Sequence, residues 1–161
     1  MAVVDSSVLI LLNRINRLVL LKRFFREITI TGDIYNEVRH DRGFSEIENA
    51  CRDWIRVTEA GDPRHAKHMS RSEGIAQADA YILCLAKERN DVLLSNDHAL
   101  ILVARSKGVV CWWLTGFLVH CLKKKIVKKK EAKQILLELV EAGMRLDNLV
   151  YAAVLEKIDK W

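Results

Sequence analysis

Short apolar runs alternate along the chain with longer amphipathic segments. The runs have the length and the content of Val, Ile and Leu that are typical of strands buried on both faces of a parallel sheet. Strands are predicted over residues 2–4, 28–30, 55–57, 92–94 and 109–113. A first helix is predicted to start at residue 6. Further helices are predicted over residues 14–26, 33–40, 44–54, 70–90, 99–107, 114–124, 129–141 and 147–157. This alternation predicts an α/β fold, a three-layer α/β/α sandwich with a mostly parallel central sheet of four or five strands.

Two local signals set the boundaries of one central helix. Residues 60–68 include the only proline of the chain and are predicted to form a loop. Ser70 and Glu73 have the spacing of a capping box, which predicts that the next helix starts there. Within that helix Asp79 falls in the apolar stripe, where a carboxylate needs a compensating partner.

Length and composition indicate one domain. The chain has 161 residues, of which 50% are hydrophobic, enough for a single core. Lys and Arg number 26 and Asp and Glu 21, and the resulting net charge of +5 is compatible with a polyanionic partner such as RNA. The four cysteines form no CxxC pair, which is typical of reduced thiols in a cytoplasmic protein. Because polar residues interrupt every long apolar stretch, no signal peptide or membrane span is predicted.

Four acidic residues either follow a predicted strand or lie on a helix next to one. They are Asp5, Glu37, Asp79 and Asp97. The carboxyl ends of parallel strands share one edge of a sheet, so we expect these side chains to meet there. Carboxylates crowded in a poorly solvated cleft repel one another, and a hard divalent cation relieves that cost. Oxygen ligands favour Mg²⁺ or Mn²⁺, which can activate water and neutralise charge on a phosphodiester.

Each acid taken alone has a simpler interpretation. Asp5 and Asp97 both precede helices and have the residue type of helix caps. Glu37 is of a type that is usually solvated, and Asp79 has the alternative of pairing with an arginine in the core. Only the joint arrangement of the four residues favours a metal site.

Several segments in order resemble the PIN-domain family of metal-dependent ribonucleases. The matching segments are VVDSSVLI at the N-terminus, IYNEV around Glu37, and ADAYILCLAKERNDVLLSNDHAL, which carries Asp79 and Asp97. The later segments GVVCWWLTG and LKKKIVKKKEA resemble a VapC-like subgroup with a C-terminal helical hairpin. The resemblance therefore covers most of the chain and implies a single PIN-like domain, with a core over residues 1–120 and the hairpin over 121–161.

The resemblance also implies a function and a set of site residues. The acidic quartet of the family corresponds to Asp5, Glu37, Asp79 and Asp97, with Ser6, Ser7 and Asn96 supporting the ligands or the phosphate. The expected activity is endonucleolytic hydrolysis of RNA by a metal-activated water, with one or two Mg²⁺ or Mn²⁺ ions. The protein is expected to be the toxin of a toxin–antitoxin pair and to act in the cytoplasm. It is also expected to form a homodimer and to have an antitoxin protein as its partner.

Other functions stay open at this point. A non-catalytic RNA-binding or protein-interaction module would keep the same fold, and an RNA-processing nuclease would keep the same chemistry. A phosphoryl-accepting receiver domain also has acids at strand ends, but it expects an acidic pair after the first strand, which VVDSS does not supply.

Two further features have competing interpretations. Six lysines lie within eight residues and form either an RNA phosphate contact or a solvated turn. They are Lys123, Lys124, Lys125, Lys128, Lys129 and Lys130. The adjacent Trp112 and Trp113 either stack on nucleic-acid bases or, as is more common next to apolar residues, pack in the core and at an interface.

Overall fold

The computed structural model describes residues 1–59 and 61–161, and in this part of the chain it contains five strands and ten helices. The strands are β1 (Ala2–Val4), β2 (Ile28–Ile30), β3 (Ile55–Val57), β4 (Val92–Ser95) and β5 (Cys111–Trp113). The helices are α1 (Ser6–Arg14), α2 (Val19–Phe25), α3 (Gly32–Val38), α4 (Phe44–Cys51), α5 (Pro63–Glu73), α6 (Gln77–Arg89), α7 (His98–Ser106), α8 (Leu114–Lys123), α9 (Lys129–Glu141) and α10 (Asn148–Asp159). The predicted α/β class is confirmed.

All five strands are parallel and form one sheet in the order β3-β2-β1-β4-β5. In the centre, Ala2 of β1 pairs with Ile28 of β2 on one side and with Val92 of β4 on the other. The residues of β1 and β2 are fully buried, whereas the edge strands β3 and β5 are partly exposed. Burial on both faces explains why β1 and β2 are almost entirely apolar, with Thr29 of β2 as their one polar residue.

The strand order places a crevice beside β1. The chain extends the sheet from β1 to β2 and β3 on one side, then returns to add β4 and β5 on the other. In open parallel sheets, ligands bind beyond the carboxyl ends of the strands at the point where the order reverses. That point lies between the ends of β1 and β4, which Asp5 and Asp97 follow closely.

The segment predicted as a loop is mostly helical. Ala60, its first residue, lies outside the described residues, and α5 begins at Pro63. Asp62 caps this helix, since its Oδ1 accepts hydrogen bonds from the backbone N–H groups of Arg64 (2.9 Å) and His65 (3.3 Å). Proline is favoured in the first helical turn because its missing N–H would have no partner there. The loop prediction was therefore wrong from the proline onward.

The predicted capping box was also wrong. Ser70 and Glu73 lie in the last turn of α5, and Gly74 ends that helix with a left-handed φ of 68°. The Ser70 hydroxyl donates to the backbone carbonyl of Ile75 (2.7 Å), and this bond holds the turn between α5 and α6. Asp79 lies on the next helix, α6, which starts at Gln77.

The two C-terminal helices pack on each other, and both also contact α8. The apolar stripes of α1, α2 and α9 are largely buried inside the chain. α10 differs, because its Leu149 is 81% exposed and Val150 is 46% exposed. None of the described helices has the length and apolar character needed to cross a membrane.

Candidate active site

Asp5 is held in place by hydrogen bonds from both sides of the crevice. Its carboxylate is only 4% exposed. Oδ1 accepts from the backbone N–H of Ser6 at 2.7 Å, which caps α1, and Oδ2 accepts from the Ser7 hydroxyl at 2.9 Å. The hydroxyl of Ser95, which ends β4, donates to the same Oδ2 at 2.9 Å. These bonds stabilise a charged carboxylate away from water.

Ser95 is a site residue that the sequence interpretation missed. It is fully buried, and its Oγ joins the two strand ends, because it donates to Asp5 and accepts from the backbone N–H of Asp97 at 3.0 Å. Asn96 takes part through its backbone, whose N–H donates to the Ser7 hydroxyl at 3.4 Å. A polar residue ending the apolar run of β4 was the only sequence signal for this contact.

Asp97 caps α7 and also faces solvent. Its Oδ1 accepts from the backbone N–H of Leu100 at 2.8 Å, and its side chain is exposed. Both strand-end acids are thus helix caps, as the simpler interpretation proposed. Capping does not exclude ligand binding, because an ionised carboxylate has about four lone-pair positions and one cap bond occupies one of them.

Asp79 lies in the first turn of α6 and is half-buried, rather than deep in the apolar stripe. Its pKa is raised from 3.8 to about 6, first by burial and then by the charges of Asp5, Asp97 and Glu37. Among the described residues no arginine offsets these effects. The same three acids that the sequence grouped with Asp79 are therefore close enough to repel it.

Glu37 lies on α3, the helix that follows β2, and is exposed. Together with Asn36 and His40 it borders a shallow surface pocket whose opposite wall is Gln77 and Ala78, at the start of α6. This pocket places Glu37 across from the first turn of α6, which carries Asp79. All four predicted acids therefore surround the carboxyl edge of the sheet.

The donor set fits a hard divalent cation in its chemistry. All four side chains offer oxygen, and their mutual repulsion is the cost that a cation relieves. Within residues 1–59 and 61–161, however, no three His, Cys, Asp or Glu side chains stand close enough together to hold one ion. Charge repulsion acts over longer distances than coordination, so the two observations are compatible. Holding a cation would require these side chains to close around it.

The lysine-rich turn lies away from the acids. Its first lysine, Lys123, is the last residue of α8, and α8 starts directly after β5, so the length of this helix separates the turn from the carboxyl edge. Lys124 Nζ lies 3.9 Å from the ring centroid of Phe24, which comes just before β2 begins. Lys129 Nζ donates to the backbone carbonyl of Asp159 at 2.6 Å. RNA contact by this turn stays a prediction.

Comparison with known proteins decides the family. A family model described as a PIN domain (DUF3368) matches residues 1–160. The chain belongs to the PIN-domain family. PIN domains are generally nucleases, and those nucleases usually use divalent metals. The family assignment confirms the resemblance to PIN domains, and the VapC-like subgroup stays a prediction.

A solved structure has a similar fold. The crystal structure of PAE2754 from Pyrobaculum aerophilum is similar with a TM-score of 0.51 and 16% sequence identity. The match covers 68% of this chain and 89% of that one. At such identity the likeness concerns the fold alone. No curated protein matches this sequence significantly.

Proposed function

We propose that this PIN domain is a metal-dependent endoribonuclease whose site is formed by four acids at the carboxyl edge of the sheet. The residues that would hold the cation are Asp5, Glu37, Asp79 and Asp97. The observation that supports this most strongly is that burial and the other three acids together raise the pKa of Asp79 to about 6. A structural carboxylate would instead be expected to have a basic partner.

The residues of the chain have different tasks in this proposal. Asp5 is the fixed ligand, because Ser7 and Ser95 orient its carboxylate from two strand ends. Asp97 comes from the end of the neighbouring strand, and Asp79 and Glu37 approach from the helices to complete the ligand set. Near neutral pH most Asp79 carboxyls are ionised, since the pKa lies about one unit lower. A divalent cation, when bound, would supply an activated water and charge neutralisation at the phosphodiester.

The biological setting of this activity stays a prediction from the family resemblance. The toxin role, the antitoxin partner and the homodimer belong to that prediction. An RNA-processing nuclease outside a toxin–antitoxin pair would use the same four acids and the same chemistry. The choice between the two depends on the RNA that is cut, not on the acidic site.

The test is cleavage of single-stranded RNA with Mn²⁺ by the wild type and by Asp79→Asn. We expect the variant to lose on the order of a thousandfold in rate, because several kcal/mol of transition-state stabilisation depend on the cation. Asp53→Asn is the matched control: it removes an exposed carboxylate that pairs with Lys22 on the surface, and full activity is expected. Wild-type cleavage by a folded Asp79→Asn, or equal wild-type cleavage in EDTA, would refute the proposal.

A further inference from the structure

A groove of about 690 Å³ runs between α8 and α10. Val119 and Val154 are buried and line it, while Leu149 lines it as an exposed side chain. Two tryptophans also line it: Trp113, which precedes α8, and Trp161, which follows α10. Because α8 has ten residues, the groove follows a helix about 15 Å long.

The charge of the groove is positive and comes from its lysines. The ionisable side chains that line it in the described part of the chain are His120, Lys123 and Lys157. The Lys123 ammonium lies 4.5 Å from the ring centroid of Trp161, whose side chain is 62% exposed. Aromatic faces flanked by lysines are the combination that single-stranded nucleic acid uses, since bases stack on the rings while phosphates pair with the ammonium groups.

The groove starts next to the acidic site. Trp113 is the register partner of Ser95, the serine that joins the two strand-end acids. The ring of His98, the residue after Asp97, stacks on Trp113 with a centroid distance of 5.9 Å and an interplanar angle of 29°. A nucleic-acid strand that leaves the acidic edge along the groove would therefore contact the Trp113 ring first.

Trp112, the neighbour of Trp113 in the sequence, has a structural role in packing. Trp112 stacks on His120 at 4.1 Å and meets the edge of Phe24 at 5.8 Å, inside a cluster of aromatic rings. Among the described residues Trp113 has one aromatic partner, His98, and it also lines the groove. The sequence placed these two tryptophans together, but only Trp113 lines the groove.

We propose that this groove binds single-stranded RNA on one side of the bond to be cleaved, with bases on Trp113 and Trp161 and phosphates at Lys123 and Lys157. The substrate is single-stranded because a paired base cannot present its face to an aromatic side chain. The inference rests on the proposed function only in taking RNA as the substrate. It adds a binding surface that the four acids do not provide.

The test measures affinity for a fluorescein-labelled single-stranded RNA dodecamer of mixed sequence, in EDTA so that no cleavage occurs. We expect Trp161→Ala to weaken binding on the order of tenfold, as expected for loss of one stacked base. Lys157→Glu should weaken binding and reduce the slope of log affinity against log salt by about 0.7 for the lost phosphate contact. The same RNA as a duplex should bind the wild type more weakly than the single strand does.

The matched control is Lys67→Glu, the same charge reversal on α5, a helix that packs on α6. It should change affinity less than Lys157→Glu does and leave the salt slope unaltered, because Lys67 does not line the groove. Trp161 is exposed at the end of the chain, so its variant is expected to stay folded, which circular dichroism checks. Wild-type affinity and salt slope in both groove variants would overturn the inference and leave the groove to a protein partner or a second copy.

Cleavage with Mn²⁺ separates this inference from the proposed function. Groove variants that bind RNA weakly, together with an Asp79→Asn protein that cleaves like the wild type, would support the groove and refute the acidic site. Groove variants that bind and cleave like the wild type, together with an inactive Asp79→Asn, would do the reverse.

Discussion

The two walls of the acidic crevice are built differently. On the strand side, Asp5 is almost fully buried and accepts hydrogen bonds from the hydroxyls of Ser7 and Ser95. On the helix side, Asp79 is only half-buried, yet burial and three neighbouring acids raise its pKa to about 6. The two carboxylates thus differ both in their burial and in the hydrogen bonds that hold them.

Hydrogen-bond donors distinguish the two walls. Burial alone disfavours a charged carboxylate, whereas donors aimed at its oxygens compensate for the lost water. The strand wall has such donors, and its geometry is set before any ligand arrives. Among the described residues none donates a hydrogen bond to Asp79, and the helix wall carries a repulsion that a cation would relieve. The site therefore combines one rigid anchor with a group of carboxylates that gain most from binding.

Removing the donor that joins the strand ends should make the two walls more alike. In Ser95→Ala, Asp5 loses one hydrogen bond and the backbone N–H of Asp97 loses its acceptor. We expect a loss of about 1–3 kcal/mol in the free energy of unfolding and a roughly 10- to 100-fold loss in Mn²⁺ affinity and cleavage rate. Urea denaturation and Mn²⁺-dependent cleavage measure the two effects.

The control for that variant is Ser106→Ala. Ser106 is exposed, and its hydroxyl donates only to the carbonyl of Val103 in the same helix, at 2.7 Å. Its removal should change stability by less than about 0.5 kcal/mol and leave cleavage unaltered. If Ser95→Ala behaves like this control in both assays, Asp5 does not depend on the strand-end donors.

The helix wall should be visible in the pH dependence of stability without metal. A carboxyl whose pKa is higher in the folded state than the unfolded value of 3.8 lowers stability as the pH rises from there through about 6. Asp79→Asn should therefore be more stable than the wild type at pH 7 and similar to it at pH 4. The gain should be on the order of 1 kcal/mol, below the roughly 3 kcal/mol of an unscreened shift, because Asp79 is partly solvated.

Thermal unfolding of both proteins between pH 4 and pH 7 measures this effect. For a chain of this size, 1 kcal/mol corresponds to a shift of about 2–4 °C in Tm. Parallel curves for the wild type and Asp79→Asn over that range would show that the helix wall carries no such repulsion.

The positions of Asp5 and Asp97 could be predicted because strand ends are visible in the sequence. In the segments VVD and VLLSND an apolar run stops at polar residues. Parallel pairing of β1 with β4 then brings the ends of the two runs together. Asp79 was placed on the correct helix but too deep, because the helix starts later than the Ser70 capping signal indicated. A local motif cannot distinguish a helix start from a helix end when both have Ser and Glu at the same spacing.

The contacts that the sequence did not predict depend on tertiary structure. Ser95 reaches Asp5 only because β4 lies beside β1 in this register, and a buried serine leaves no periodic pattern. Pro63 was assigned to a loop because proline is common both in loops and in first helical turns. The distance of the lysine-rich turn from the acids follows from the direction of α8, which composition does not encode.

Crystals grown with saturating Mn²⁺ and measured at the manganese absorption edge would show whether the four acids hold a cation. We expect an anomalous peak at the carboxyl edge of the sheet, within coordination distance of Asp5 and of at least two of Glu37, Asp79 and Asp97. A well-ordered crystal with no such peak, or with manganese bound only elsewhere on the protein, would contradict this expectation.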